Sequence, residues 1–278
     1  MPASAMTGTV PTRPVHDPGH PVRTALALTA AAVVVTLVGA WVVDLLAPSA
    51  DPLLRRLPVV LALMAMALLA ARRIGWREVA AGGPSTWRSL YLLVVPALIA
   101  LAPLAAGWSP EYAVLGALTL GYAATAVYEE LWFRGVMLRS ALPLGPVRAA
   151  VLTAVLFGAS HLANVAFGAN LAVTLAQAVG SAAGGFAYAV LRLRTRALWL
   201  LVAVHGVGDL LLHTTGLHGG MLWVALVGHD VALFACGLAA LPRLRRAPYG
   251  ASSTQTVAQG SASSRSSGMA PSHTSQRP

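Results

Sequence analysis

Long apolar runs separated by short polar joints make up most of this chain. A membrane-spanning helix needs roughly 20 mainly apolar residues. Eight stretches reach or approach that length: 25–46, 53–71, 89–107, 112–138, 147–166, 171–191, 197–212 and 221–241. The fourth and seventh are the least clean, because acidic and histidine residues interrupt them. The pattern predicts an all-α fold, a polytopic membrane helical bundle of about eight transmembrane helices spanning 25–241. Residues 1–22 and 247–278, rich in Pro, Thr, Ser and Gly, carry too little apolar surface to form a core and are expected to be disordered. Residues 76–83 read as a connector, with room for a short interfacial helix.

Composition agrees with a bilayer setting. Hydrophobic residues make up 57% of 278, charged residues only 10%, and mean hydropathy is +0.70. A soluble domain carries about 25% charged residues. The net charge of +10 raises nucleic acid as a partner. No basic stretch is interleaved with aromatics as a single-strand platform requires, so no nucleic acid is expected. All 19 basic residues are Arg, a coding bias that points to a GC-rich bacterial genome.

The arginines set an orientation. With eight spans, only Arg55 and Arg56 fall on one side and the other seventeen on the opposite side. The positive-inside rule then places both termini in the cytoplasm, in a multi-pass protein of the cell membrane. The first apolar run exceeds the roughly 7–15 residues of a signal-peptide core, so it is read as a retained helix. A single cysteine, Cys236, excludes an internal disulfide and a cysteine-based zinc cluster.

Chemistry concentrates in three short clusters: Glu129-Glu130 with Arg134, Phe157 with His161, and His205 with Asp209. Ionisable groups inside membrane spans are costly, and they pair, face a cavity or serve function. Each cluster alone has a plain alternative: a solvated helix end, a satisfied structural histidine, a helix-stabilising pair. Glu129 and Glu130 are about 100° apart around an α-helix and cannot aim at one spot. Glu130 and Arg134 are four apart and can pair, which leaves Glu129 aimed elsewhere. Counted from the nearest flanking arginine at about 1.5 Å per residue, Glu129, His161, His205 and Asp209 lie roughly 13–20 Å deep. Three segments thus bring their polar groups to similar heights.

Together Glu129-Glu130-x-x-x-Arg134, Phe157-x-x-x-His161 and His205-x-x-x-Asp209 resemble the three ordered motifs of the CAAX-protease and bacteriocin-processing (CPBP, or Abi) family of intramembrane endopeptidases. The motif region covers about 112–212. The resemblance implies hydrolysis of a peptide bond in a peptide or membrane-protein substrate. Glu129 would be the general base, and His161 would orient the water. His205 and Asp209 would steady the water or the oxyanion, and Glu130 would be oriented by Arg134. Family members often carry Asn where this chain has Asp209. An ionised Asp only accepts hydrogen bonds, so Asp209 is left to stay protonated, to orient His205, or to bind metal. Glu129, His161, His205 and Asp209 are candidate ligands for a divalent ion such as zinc, since Glu with two His is a catalytic zinc set. A metal-free glutamate mechanism stands beside it. The alternatives are a non-enzymatic membrane immunity or partner-binding protein, and a transporter with a Glu/His relay.

Outside the motifs, His229-Asp230 interrupts the eighth span and is expected to line a cavity or play a structural part. Gly180 and Gly184 form a G-x-x-x-G pair suited to close helix packing, within the chain rather than across a dimer. His213 and His218 are expected near the outer face, as are Asp44 and Asp51.

Overall fold

The computed structural model describes residues 19–79 and 86–245. The expectations for residues 1–18, 80–85 and the tail from 246 onward lie outside the described residues. The expected helical passages all form. Helix α1 spans Pro21–Leu46, α2 Pro52–Ile74 and α3 Val94–Leu101, the last flanked by 3-10 turns at Trp87–Leu93 and Ala102–Ala106. Helix α4 covers Tyr112–Glu129 and runs into a π-helix, Glu130–Met137, and then α5, Leu138–Ala141. Helix α6 is Pro146–Ser160, followed by a 3-10 segment at His161–Phe167. Helices α7, Leu171–Thr195, α8, Leu198–Thr214, and α9, Gly219–Arg245, complete the bundle. Within the described residues this is an all-helical, multi-pass membrane fold. Six helices meet the length and apolarity of a bilayer crossing. The other two passages are the ones the sequence marks as least clean. The fourth carries Glu129, Glu130 and Arg134 and changes to π geometry, and α8 has only 17 residues.

The helix ends follow local chemistry. Gly145, at φ +90°, turns the chain ahead of Pro146, which starts α6 with the φ that a first helical turn requires. Asn170 caps α7 by accepting from the amides of Ala172 and Val173. At the loop between α1 and α2, Asp44 pairs with Arg55 and ties the hairpin closed.

Packing is inverted relative to a soluble protein. Large apolar side chains such as Trp41, Leu98, Val179 and Val224 are more than half exposed, while Ala25, Ala32, Ala67, Ala71 and Ala187 are wholly or almost wholly buried. Lipid solvates the large groups, and small residues let helix backbones close on one another. Helix α7 packs along α6 and α9, α4 lies between α2 and α8, and α3 backs onto α8. Gly180 and Gly184 face α9: a Cβ at Gly180 would lie 2.0 Å from Asp230 Oδ2, and one at Gly184 would lie 3.7 Å from Leu233 Cδ1. The G-x-x-x-G pair therefore serves packing within the chain.

Helices α6 and α7 approach closely at Gly158, where a Cβ would stand 2.3 Å from the Ala178 carbonyl oxygen and 2.7 Å from Ala182 Cβ. Gly158→Ala is expected to destabilise by about 1–3 kcal/mol through overpacking. Gly116→Ala in α4, with open space around it, should be neutral or gain up to about 1 kcal/mol. Thermal midpoints of the two variants in detergent check this, and equal midpoints would contradict the packing described.

Candidate active site

The π-helix begins at Glu130, whose amide is shared between the carbonyls of Ala126 and Val127, and all eight of its residues are buried. Such π segments interrupt α-helices frequently at functional sites. Here the segment carries Glu130 and Arg134 into the protein, with side chains 0% and 2% exposed. Arg134 Nη1 lies 3.3 Å from Glu130 Oε1, the i,i+4 pair anticipated from spacing. Arg134 also stacks on the Phe157 ring, Cζ to centroid 4.0 Å, a cation–π contact that offsets part of the desolvation of the guanidinium. Glu130 Oε2 and both terminal nitrogens of Arg134 are buried without a hydrogen bond among the described residues. The stack is tight: a Cβ on Gly185 of α7 would lie 2.8 Å from Phe157 Cδ1 and 3.0 Å from Arg134 Nη2.

The two adjacent glutamates diverge, yet one imidazole spans them. His205 Nδ1 is 2.9 Å from Glu130 Oε1, and its Nε2 is 3.6 Å from Glu129 Oε2 and 3.4 Å from Asp209 Oδ2. Glu130 and Glu129 thus meet different nitrogens of the same ring, which α-helical geometry alone did not anticipate. His161, the first residue of the 3-10 segment, places Nδ1 2.9 Å from the Phe157 carbonyl oxygen. A carbonyl only accepts, so Nδ1 donates and the neutral ring presents an Nε2 lone pair. That Nε2 lies 3.8 Å from Glu129 Oε1. The Phe157 and His161 rings meet edge to face at 4.8 Å, so the two share one helix face as the four-residue spacing requires.

All the expected site residues therefore converge. Glu129 is the hub, one carboxylate oxygen toward each imidazole, with Glu129, His161 and His205 each only 12–14% exposed. Asp209, 29% exposed, is the group most open to the surroundings. Separations of 3.6 and 3.8 Å exceed direct hydrogen bonds and suit groups that converge on a third atom. As for a metal, no group of three or more His, Cys, Asp or Glu among the described residues is arranged to hold an ion.

His229 and Asp230 stand apart from this cluster. His229 lines a different, largely apolar cavity of about 480 Å³ between α3, α8 and α9, and it backs onto α8 at Gly208. Asp230 presses on Gly180. His213 is exposed, stacks on Tyr122 at 4.9 Å and bonds the Asp209 carbonyl. Two residues near the site lie outside the three motifs: Gly185, and Tyr188, whose ring lies 5.4 Å from that of His205. The available signal was a tyrosine inside a span, since its polar tip needs company there.

A helical membrane bundle with a buried Glu/His/Asp cluster is the class that fold and site define. Residues 111–211, just over a third of the chain, match the family described as Rce1-like: Type II CAAX prenyl endopeptidase Rce1-like. The match runs from the start of α4 into α8 and contains all three motifs, so the CAAX-protease resemblance is borne out for this region. Neither curated proteins nor solved structures gave a match.

Removing one side of the buried pair tests the geometry. Arg134→Leu leaves Glu130 buried with its cation gone and should destabilise by about 3–5 kcal/mol. Adding Glu130→Gln should recover a substantial part. Denaturation midpoints in detergent read both, and an unchanged midpoint for Arg134→Leu would show that Glu130 does not depend on it.

Proposed function

We propose that the protein is an intramembrane endopeptidase in which Glu129 activates water for attack on a peptide bond. One observation carries this reading: the two oxygens of Glu129 face the Nε2 atoms of His161 and His205, while both Nδ1 atoms are committed elsewhere. The family match, to endopeptidases, points the same way. Glu129 takes a proton from water held beside His161 Nε2, and the hydroxide oxygen bonds to the scissile carbonyl carbon. The carbonyl π pair moves to oxygen as the oxyanion. Collapse re-forms the carbonyl and breaks the C–N bond, and Glu129 returns its proton to the amine. Positioned acid–base groups of this kind contribute about 10²–10⁴-fold each.

The remaining residues position these. Glu130, clamped by Arg134, receives the Nδ1–H of His205 and fixes that ring's tautomer and direction. Asp209 Oδ2 lies 3.4 Å from His205 Nε2 on the next turn of α8, a contact that orients the ring when one of the two carries the intervening proton. The arginine distribution supports cytoplasmic termini in a cell membrane. The substrate is a peptide or membrane-protein segment that reaches the site through the bilayer. The prenyl specificity in the family's description is one candidate for it.

Reconstituted protein is incubated with a synthetic C-terminally farnesylated peptide and with a host membrane-protein fraction, and new peptide termini are read by mass spectrometry. Wild type should generate products. Glu129→Gln, His161→Ala and His205→Ala should each lower kcat by about 10²-fold or more without loss of expression. A chelator arm reads metal dependence. Undiminished cleavage by Glu129→Gln would refute its role as base, and a partner-binding protein would give no product at all.

A further inference from the structure

The site is rich in acceptors, and its guanidinium, Arg134, is buried against Phe157 with 2% of its side chain exposed. Glu129, Glu130 and Asp209 accept when ionised. The Nδ1–H of His161 is given to the Phe157 carbonyl, and that of His205 to Glu130. The Nε2 of His205 faces Glu129 and Asp209, and Arg134 is held between Glu130 and Phe157. Hydrolysis through a tetrahedral intermediate needs a donor aimed at the developing oxyanion.

Tyr188 is a neutral donor beside this cluster. Its side chain is buried, 5% exposed, with its ring 5.4 Å from His205 and tilted 34° to it. Arg134 Cζ lies 5.8 Å from the Tyr188 ring centroid. Its placement follows from packing. Gly185 lets α7 close on Phe157 and Arg134, and Tyr188, three residues on, lies on the same side of the helix.

We propose that Tyr188 is a further catalytic residue, whose hydroxyl donates a hydrogen bond to the oxyanion formed on the scissile carbonyl. This rests on the hydrolytic reading above. The phenol keeps its proton throughout, so no atom is transferred to or from it. A donor at this place supplies what Asp209, as an acceptor, does not.

Tyr188→Phe removes the hydroxyl and keeps the ring against His205. With the farnesylated peptide, or with whichever membrane-protein fragment wild type cleaves, kcat should fall by about 10²–10³-fold, the loss typical of one oxyanion donor. KM and the thermal midpoint should stay within twofold and a few degrees of wild type. A phosphonate analogue of the cleaved peptide, whose anionic oxygens stand in for the oxyanion, should lose affinity in step with kcat, a selectivity that a packing defect would not produce. Unchanged kcat, or a rise in KM alone, would overturn the role of Tyr188 and leave the protease reading standing. Absence of product from wild type on every substrate would overturn both.

Discussion

A carboxylate buried in a lipid-embedded bundle is the constraint around which this structure is arranged. Glu130 has no exposed surface, and its compensation comes from two directions: Arg134 one turn along and His205 from another span. Breaking such a pair strands a charge in a medium that solvates it poorly. The arginine brings its own desolvation cost, offset in part by the face of Phe157. Phe157 in turn fits because Gly185 has no side chain. Four spans are thereby committed to one polar node.

That node separates two glutamates that are neighbours in sequence. Glu130 is inward, paired and structural in its contacts. Glu129 keeps some exposure and faces both imidazoles. The shared imidazole of His205 couples the two: one nitrogen is anchored on Glu130, so the other is aimed at Glu129 and Asp209. A rigid support under a partly open carboxylate is the arrangement that general-base chemistry favours, because the base needs direction as much as basicity. The bundle surrounding the node is held by close backbone approaches at Gly158 and Gly237 rather than by burying large apolar groups.

Much of this was legible in the residues. Run length and composition gave the helical membrane class, because a bilayer imposes one length and one polarity on whatever crosses it. The interrupted fourth and seventh runs marked the site, since only function or pairing sustains charge at that depth. Four-residue spacing gave the pairs Glu130–Arg134, Phe157–His161 and His205–Asp209, all local to a turn of helix. Less legible were the π-helix that begins at Glu130, the 3-10 segment that begins at His161, and the separate cavity that His229 lines.

Residue order alone therefore determined the medium, the spans and the side chains placed at common depth. Tertiary structure decided which carboxylate meets which ring nitrogen, since the contact between His205 and Glu130 joins residues 75 apart. It also brought Tyr188 beside His205. Helical periodicity fixes neighbours within a turn. The rotation of one helix against another is set by where glycines and alanines let backbones close, a property of the whole packing and of no single segment.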